Sequence, residues 1–367
     1  MPRTPLSLPD FPWNALVPFG ERAAEHPDGK IDLSVGSPVD ETPAVVREAL
    51  ARATDAHSYP ATAGSPALRE AIVDWFAARR GVDDITVANV LPTIGSKELI
   101  ALLPSMLGIS TGDVVVHPAI AYPTYAIGAA LAGATAVASD DPAEWPASTK
   151  LVWVNSPANP HGAITSVDWL KVAVARAREL GAIIVSDECY AEFVWNSDAP
   201  SPSILSPAVI AGQRNSVLAV YSLSKQSNLA GYRAGFIAGC SDLIAEILEV
   251  RKHAGLIPPA PVQQAMIAAL GDHEHVAEQK ARYAERRAVL VPAVEASGYR
   301  IDHSEGGLYL WATRGVDCWE SVAEFAARGI LVTPGEFYGS SQHVRIALTA
   351  TDADIASAAA RLGQSSK

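Results

Sequence analysis

The sequence predicts an α/β protein, with a large domain on a mostly parallel seven-stranded sheet and a smaller α+β domain beside it. Three observations carry this reading. Short apolar runs alternate with helix-length amphipathic segments, as in a parallel sheet wrapped by helices. Several runs close on polar or charged residues, as strands do at the ligand-bearing edge of an open sheet. Past the Pro-rich Leu256-Ile257-Pro258-Pro259-Ala260-Pro261 the pattern changes to long helices with few strands. The large domain is therefore set at 44–260, and the smaller one at 1–43 together with 261–367.

Taken in order, Ser65-Pro66 opens a helix whose Leu68, Ile72, Trp75 and Phe76 share one face, and Gly81 closes it. Strands are expected near Asp84–Ala88, Asp113–His117, Ala134–Ala138, Lys150–Val154, Ala182–Ser186, Val217–Tyr221 and Gly235–Gly239. In the tail a long helix runs from Glu274 to Ser297, interrupted at Pro292. Two strand-like stretches flank a helix over Trp319–Arg328, which Gly329 stops, and Thr351-Asp352 starts a last helix with acids in its first turn.

Lys225 is the most informative single residue. It follows the apolar Val217-Leu218-Ala219-Val220, with Ser222 before it and Arg233 after it. An amine leaving a strand end can condense with an aldehyde, while the hydroxyl and guanidinium hold a phosphate; pyridoxal phosphate carries both groups. A lone lysine in a Ser-rich loop is ordinarily a surface residue, and three further segments argue otherwise. Asn155-Ser156-Pro157-Ala158-Asn159-Pro160-His161-Gly162 forms a stiff turn after a strand, which holds Asn159 inward as a donor to the ring's phenolic oxygen. Ile183-Ile184-Val185-Ser186-Asp187 ends on a carboxylate that is costly to bury alone. Paired with the pyridinium nitrogen, Asp187 keeps the ring protonated, and Tyr190 shares the phenolic oxygen. Cys189 lacks any activating base and reads as a small buried side chain. Gly95-Ser96-Lys97 opens a helix, whose free N–H groups suit a phosphate.

With these segments in this order, the chain resembles the fold-type I pyridoxal-phosphate aminotransferases of class I/II nearly end to end. The Asn-Pro-x-Gly turn, the Asp-x-x-Tyr strand end and Ser222-Leu223-Ser224-Lys225 with Gly231-Tyr232-Arg233 carry the resemblance. So does His343-Val344-Arg345-Ile346-Ala347-Leu348-Thr349. The resemblance implies that Arg345 forks the substrate α-carboxylate, that Gly36 and Asn159 help to bind substrate, and that Tyr122 stacks on the cofactor ring. It also implies that Tyr59 reaches the phosphate of a neighbouring subunit, hence a homodimer with shared active sites. Tyr122 and Tyr59 have the alternative of filling core space, and Arg345 that of an edge charge. His161 stands where the family has threonine, a turn-shaping position. Asp32–Asp40, Thr93–Glu98, Arg251–Gly255, Ile301–Glu305 and Thr333–Gly339 look like the actinobacterial-type succinyldiaminopimelate aminotransferases. Those enzymes move an amino group from glutamate to N-succinyl-2-amino-6-oxopimelate. The Arg251-Lys252-His253 cluster is a candidate for the distal carboxylate, or else a solvated basic helix end.

The composition sets limits on the rest. A chain of 367 residues, 49% of them hydrophobic, has ample core for two domains. A net charge of −12 argues against nucleic acid or an acidic membrane surface as partner, so the expected partners are amino acids and keto acids. Three scattered cysteines, Cys189, Cys240 and Cys318, show no metal-ligand spacing and suit a reducing compartment. Met1–Asp10 lacks the apolar core of a signal peptide, and Leu99–Ile109 is cut by Pro104 and Gly108. A soluble cytoplasmic protein is expected. The open alternatives are a broad-specificity aminotransferase for aspartate, alanine or aromatic acids, a carbon–sulfur lyase on the same fold, and a cofactor-bound regulator without turnover.

Overall fold

In the computed structural model, residues 8, 9 and 11–363 are described, so the Met1–Asp10 leader stretch lies almost wholly outside them. After the short β1 (Ile31–Asp32) come the seven strands of the main sheet. They are β2 (Val90–Ile94), β3 (Val114–His117), β4 (Thr135–Ala138), β5 (Thr149–Asn155), β6 (Ile183–Asp187), β7 (Val217–Ser222) and β8 (Ala234–Gly239). Their order is β2-β8-β7-β6-β5-β3-β4, with β8 antiparallel to both neighbours and every other pairing parallel.

Both faces of this sheet are covered, which is why its central strands read as continuous apolar runs rather than alternating ones. Val114, Val116, Val152, Val154, Ile184 and Ala219 pack into one core with Leu68, Ile72, Trp75 and Phe76 of the helix Pro66–Arg80. Their neighbours Val115, Leu151, Trp153, Val185 and Leu218 pack into a second core, with Leu99, Ile100 and Leu103 of the helix Gly95–Met106. The helix Pro66–Arg80 begins and ends where its sequence signals lie. The Ser65 side chain accepts from the Leu68 N–H, and Gly81 takes the left-handed cap at φ 63°.

The remaining strands are β9 (Arg300–Ile301), β10 (Tyr309–Thr313), β11 (Ile330–Leu331), β12 (Thr333–Pro334) and β13 (His343–Ala347). An antiparallel sheet of order β12-β13-β10-β9 stands over a third core. β1 adds the N-terminal segment to this unit by pairing in parallel with β11. The last helix, Asp352–Leu362, starts at Thr351, whose hydroxyl accepts from the Asp354 N–H. Among the described residues, no helix is long and apolar enough to cross a membrane.

Two sequence expectations need correction. Asp84–Ala88 is not a strand; it leads into the turn Val87–Asn89, where Thr86 and Asn89 bond reciprocally, and the strand follows as β2. Pro92 is tolerated inside β2 because β2 is an edge strand. Pro292 does not interrupt its helix, which runs unbroken over Glu274–Ala296. Buried Leu290 and Val294 anchor it to the small core on either side of the missing donor. The helix Ala260–Gly271 packs on the helices Ala44–Arg52 and Pro66–Arg80. Its Ala265, Met266, Ala269 and Leu270 belong to the main-sheet core.

One buried ion pair ties the outer helices to the sheet edge that bears the site. Arg80 Nη2 donates to Glu188 Oε2 at 2.7 Å, and Arg80 Nη1 donates to the Ser201 carbonyl at 2.8 Å. The other oxygen of Glu188 accepts from the Ile204 N–H and the Ser203 hydroxyl. Removing Glu188 leaves a guanidinium buried without a counter-charge. Glu188→Ala is expected to lower stability by about 3–5 kcal/mol, read as a fall in the denaturant midpoint of the apoprotein. Glu188→Gln, which keeps hydrogen-bonding atoms on Ser203 and Ile204, should cost less.

Candidate active site

The chemistry-bearing side chains converge because the ends of β2, β5, β6 and β7 open on one edge of the sheet. Asn155 and Asp187 are register partners at the ends of β5 and β6, and Ser222 ends β7 opposite Gly235 of β8. Together with Gly36, Ser96, Lys97, Tyr122, Asn159, Tyr190, Lys225, Arg233 and Arg345 they line one cavity of about 500 Å3.

Lys225 sits on the single-turn helix Leu223–Gln226, which Ser222 starts by accepting from the Ser224 N–H. Its amine donates to the Gly36 carbonyl. Burial lowers the Lys225 pKa, and the charges of Arg345 and Arg233 act in the same direction. A lysine so placed presents more of its nucleophilic, proton-accepting form near neutrality.

Asp187 is buried, and Tyr125 donates to its Oδ2 at 2.9 Å while the Cys189 N–H donates to its Oδ1 at 3.1 Å. Burial nevertheless raises its pKa. Among the described residues it has no cationic partner, so it calls for a positively charged group from the cavity side. Burial also pushes the Cys189 thiol far above its ordinary value, in keeping with an inert side chain.

Asn155 organises the turn that follows it. Its amide donates to the Asp187 carbonyl at 2.9 Å, and its Oδ1 accepts from the Asn159 N–H at 2.7 Å. Asn159 Oδ1 in turn accepts from Arg345 Nη1 at 2.9 Å. His161 stays outside the cavity, where its ring accepts from the Ala163 N–H and lies beside His303. Burial depresses its pKa to about 4, so it shapes the turn as a neutral group.

Arg345 in β13 is only 3% exposed. Its Nη2 donates to the Ser34 carbonyl at 2.7 Å, and its guanidinium lies over the rings of Tyr309 and Tyr338 at 4.1 and 4.8 Å. No carboxylate pairs with it among the described residues, and its Nε has no partner.

Gly95 and Arg233 fit together closely. Gly95 has φ 71°, and a Cβ there would stand 2.4 Å from Arg233 Nη2. Arg233 itself adopts φ 58°, and its Nη1 donates to the Ala230 carbonyl at 2.7 Å. Ser222 Oγ and Ser224 Oγ are 2.8 Å apart beside them. Tyr122 lies in the cavity wall as a neutral phenol, its pKa pushed up to about 12 by burial. Lys97 reaches the mouth, with its ammonium 5.9 Å from the centre of the Phe11 ring.

Two expectations stand apart from this gathering. Tyr59 is 99% exposed and distant from the cavity within its own chain. The Arg251-Lys252-His253 cluster does not line the cavity. Arg251 is buried against Glu98 at 2.9 Å and the Leu256 carbonyl at 3.1 Å, and Lys252 pairs with Glu249 on the surface. Arg251 therefore holds the first turn of the helix Gly95–Met106 rather than presenting a free fork. Sequence reasoning also passed over Tyr125, Asn155 and Tyr309. Asn155 lay inside a stretch already singled out and Tyr125 three residues past Tyr122, whereas no local pattern marks Tyr309.

Residues 28–362 match the family model described as Aminotransferase class I and II, and the chain belongs to that family. It is 55% identical to the 4-dedimethylamino-4-oxo-anhydrotetracycline transaminase of Streptomyces rimosus, over 97% of this chain and 99% of that one. It is 52% identical to a Mycobacterium tuberculosis protein named "Probable aminotransferase", over 97% of this chain and 85% of the other. A Thermus thermophilus structure titled "probable N-succinyldiaminopimelate aminotransferase" superposes with a TM-score of 0.85 and 28% identity, covering 96% of this chain and 99% of that one. The chain is thus a fold-type I aminotransferase, and the family depends on pyridoxal phosphate. The cavity suits that group on its own evidence: a buried amine of lowered pKa, a buried carboxylate lacking a cation, and a glycine cradle beside an arginine. Gly95→Ala would put a methyl into that cradle at a strained φ. It is expected to weaken pyridoxal phosphate binding at least about tenfold, measured by titrating the apoprotein with the cofactor and following fluorescence.

Proposed function

We propose that this chain transfers an amino group from glutamate to N-succinyl-2-amino-6-oxopimelate in ping-pong order, as a step toward diaminopimelate and lysine. The observation that carries the transaminase reading is Arg345, a guanidinium buried without an acid and sharing one cavity with the Lys225 amine. Such a charge is stable only if a carboxylate meets it, and a forked contact places the Cα of an amino or keto acid at a fixed reach. The diaminopimelate assignment draws on the sequence stretches that resemble that subfamily, and on the Thermus relative's title.

Pyridoxal phosphate, when bound, supplies an aldehyde for the amine and a ring that stabilises negative charge at Cα. Lys225 would hold the aldehyde, Asp187 the ring nitrogen, and Asn159 with Tyr190 the phenolic oxygen. Ser96, Ser222, Arg233 and the N–H groups at Gly95 would hold the phosphate, with Lys97 adding positive charge nearby and Tyr122 lying against the ring. Arg345 and Asn159 orient the α-carboxylate, and the Gly36 segment closes the near wall. Lys225, freed, would take the Cα proton on its Nζ and deliver it to the carbon that had been the cofactor's aldehyde. Tyr59, fully exposed, is assigned to the cavity of a second copy, which makes the working unit a homodimer in the cytoplasm.

The Streptomyces rimosus relative favours a second reading, in which the acceptor is a large cyclic ketone. Both readings predict that glutamate converts the holoenzyme's visible absorbance to the pyridoxamine phosphate form. Restoration that is fastest with N-succinyl-2-amino-6-oxopimelate supports the first, and restoration that is fastest with a polycyclic ketone, oxaloacetate or pyruvate rejects it. Lys225→Ala is expected to lower steady-state turnover more than about a thousandfold. Substantial turnover by that variant, without added amine, removes Lys225 from its assigned role.

A further inference from the structure

Tyr309 meets Tyr190, Arg345 and Gly36, yet no motif or assignment gives it a role. It lies on β10, whose register sets it opposite Ala347 and two residues before Trp311, the partner of Arg345. Its hydroxyl is 2.9 Å from the Tyr190 hydroxyl, and its ring face carries the Arg345 guanidinium at 4.1 Å. Gly36, whose carbonyl accepts from Lys225, has no side chain because the Tyr309 hydroxyl fills the space: a Cβ there would stand 1.9 Å from that oxygen.

We propose that Tyr309 is a positioning residue for the transamination, donating its hydroxyl proton to the Tyr190 oxygen and thereby turning the Tyr190 proton into the cavity. Each phenol has one proton to give, so if the Tyr190 proton goes to an oxygen in the cavity, the bond between the two hydroxyls is made with the Tyr309 proton. Burial pushes Tyr309 up, and the charges of Arg345 and Lys225 pull it down. Burial, with Tyr309 beside it, pushes Tyr190 well above its ordinary value. The titratable or charged groups facing Tyr309 are Lys225 after β7, Arg345 on β13, Tyr190 after β6, Tyr122, Tyr283 and Tyr338. Tyr190, already accepting one hydrogen bond, becomes a stronger donor to an oxygen in the cavity. The inference rests on the assignment of Tyr190 to the cofactor's phenolic oxygen.

The test is the pH midpoint of the visible absorbance change in the pyridoxal-phosphate holoenzyme, for wild type, Tyr190→Phe, Tyr309→Phe and the double variant. A donor to the phenolic oxygen favours the form in which the lysine-bound nitrogen is unprotonated, so removing it raises the midpoint. Tyr190→Phe is expected to raise it, and Tyr309→Phe to raise it by about half to one unit. The double variant should equal Tyr190→Phe alone, because Tyr309 acts through Tyr190. Cofactor affinity, measured separately by titrating the apoproteins, should change less than about threefold in Tyr309→Phe. An unmoved midpoint in Tyr309→Phe, while Tyr190→Phe does shift it, overturns the role of Tyr309 alone. Additive shifts in the double variant overturn its action through Tyr190. A fall in cofactor affinity with an unmoved midpoint assigns Tyr309 to packing only. If Tyr190→Phe leaves the midpoint unmoved, the Tyr190 assignment fails and the proposal with it.

Discussion

An arginine buried without an acid is the constraint around which the rest of the site is arranged. Moving a guanidinium out of water is costly, and what offsets that here is partial: two carbonyl-type oxygens and two aromatic faces. Each offset recruits a different part of the chain. Asn159 comes from the turn after β5, Ser34 from the N-terminal segment, Tyr309 from β10 and Tyr338 from the turn after β12. The N-terminal segment is held especially firmly. Ser34 O also accepts from the Thr333 hydroxyl, Val35 O from the Thr349 hydroxyl, and Gly36 O from Lys225. Three successive carbonyls are thus pinned to the small unit, to Arg345 and to the Lys225 amine. Arg345 lines the cavity with its Nε unpartnered, and under the proposed function a carboxylate substrate would meet that charge.

The electrostatics of the large unit follow the same logic with the sign reversed. Asp187 is buried with donors but no cation, and burial lifts its pKa rather than leaving it freely ionised. Lys225 is buried with cations nearby and is pulled the other way. Under the proposed assignment, a ring that brought a protonatable nitrogen to one and an aldehyde to the other would relieve both.

Much of this was legible in the sequence because the signals were local. Asp187 and Ser222 end strands whose apolar runs are visible on their own, Asn159 and Lys225 lie in the turns just beyond such ends, and a strand end fixes where its last side chain emerges. Helix caps such as Ser65, Gly81 and Thr351 were equally readable, since their partners lie within a turn. What escaped depends on distance in sequence. Tyr309 gains its neighbours only through pairing between β10 and β13 and through packing against Tyr190 and Gly36. Arg251 looked like a free cation until the fold laid Glu98 beside it. β2 was misplaced because an edge strand can hold a proline and a threonine, which weakens its pattern. Pro292 misled for the opposite reason: tertiary packing carried a helix through a residue that local rules would have used to end it.

The fit of Gly36 beneath the Tyr309 hydroxyl has a consequence for how such a chain can change over generations. The two positions lie on separate elements, one before the main sheet and one near the end of the chain, yet they occupy a single volume. A side chain can enter at 36 only after the aromatic ring at 309 has given way to something smaller, and each change made alone passes through a damaged protein. Drift at 36 is therefore blocked for as long as the tyrosine stands, and a descendant with a side chain at 36 should be found to have lost that ring.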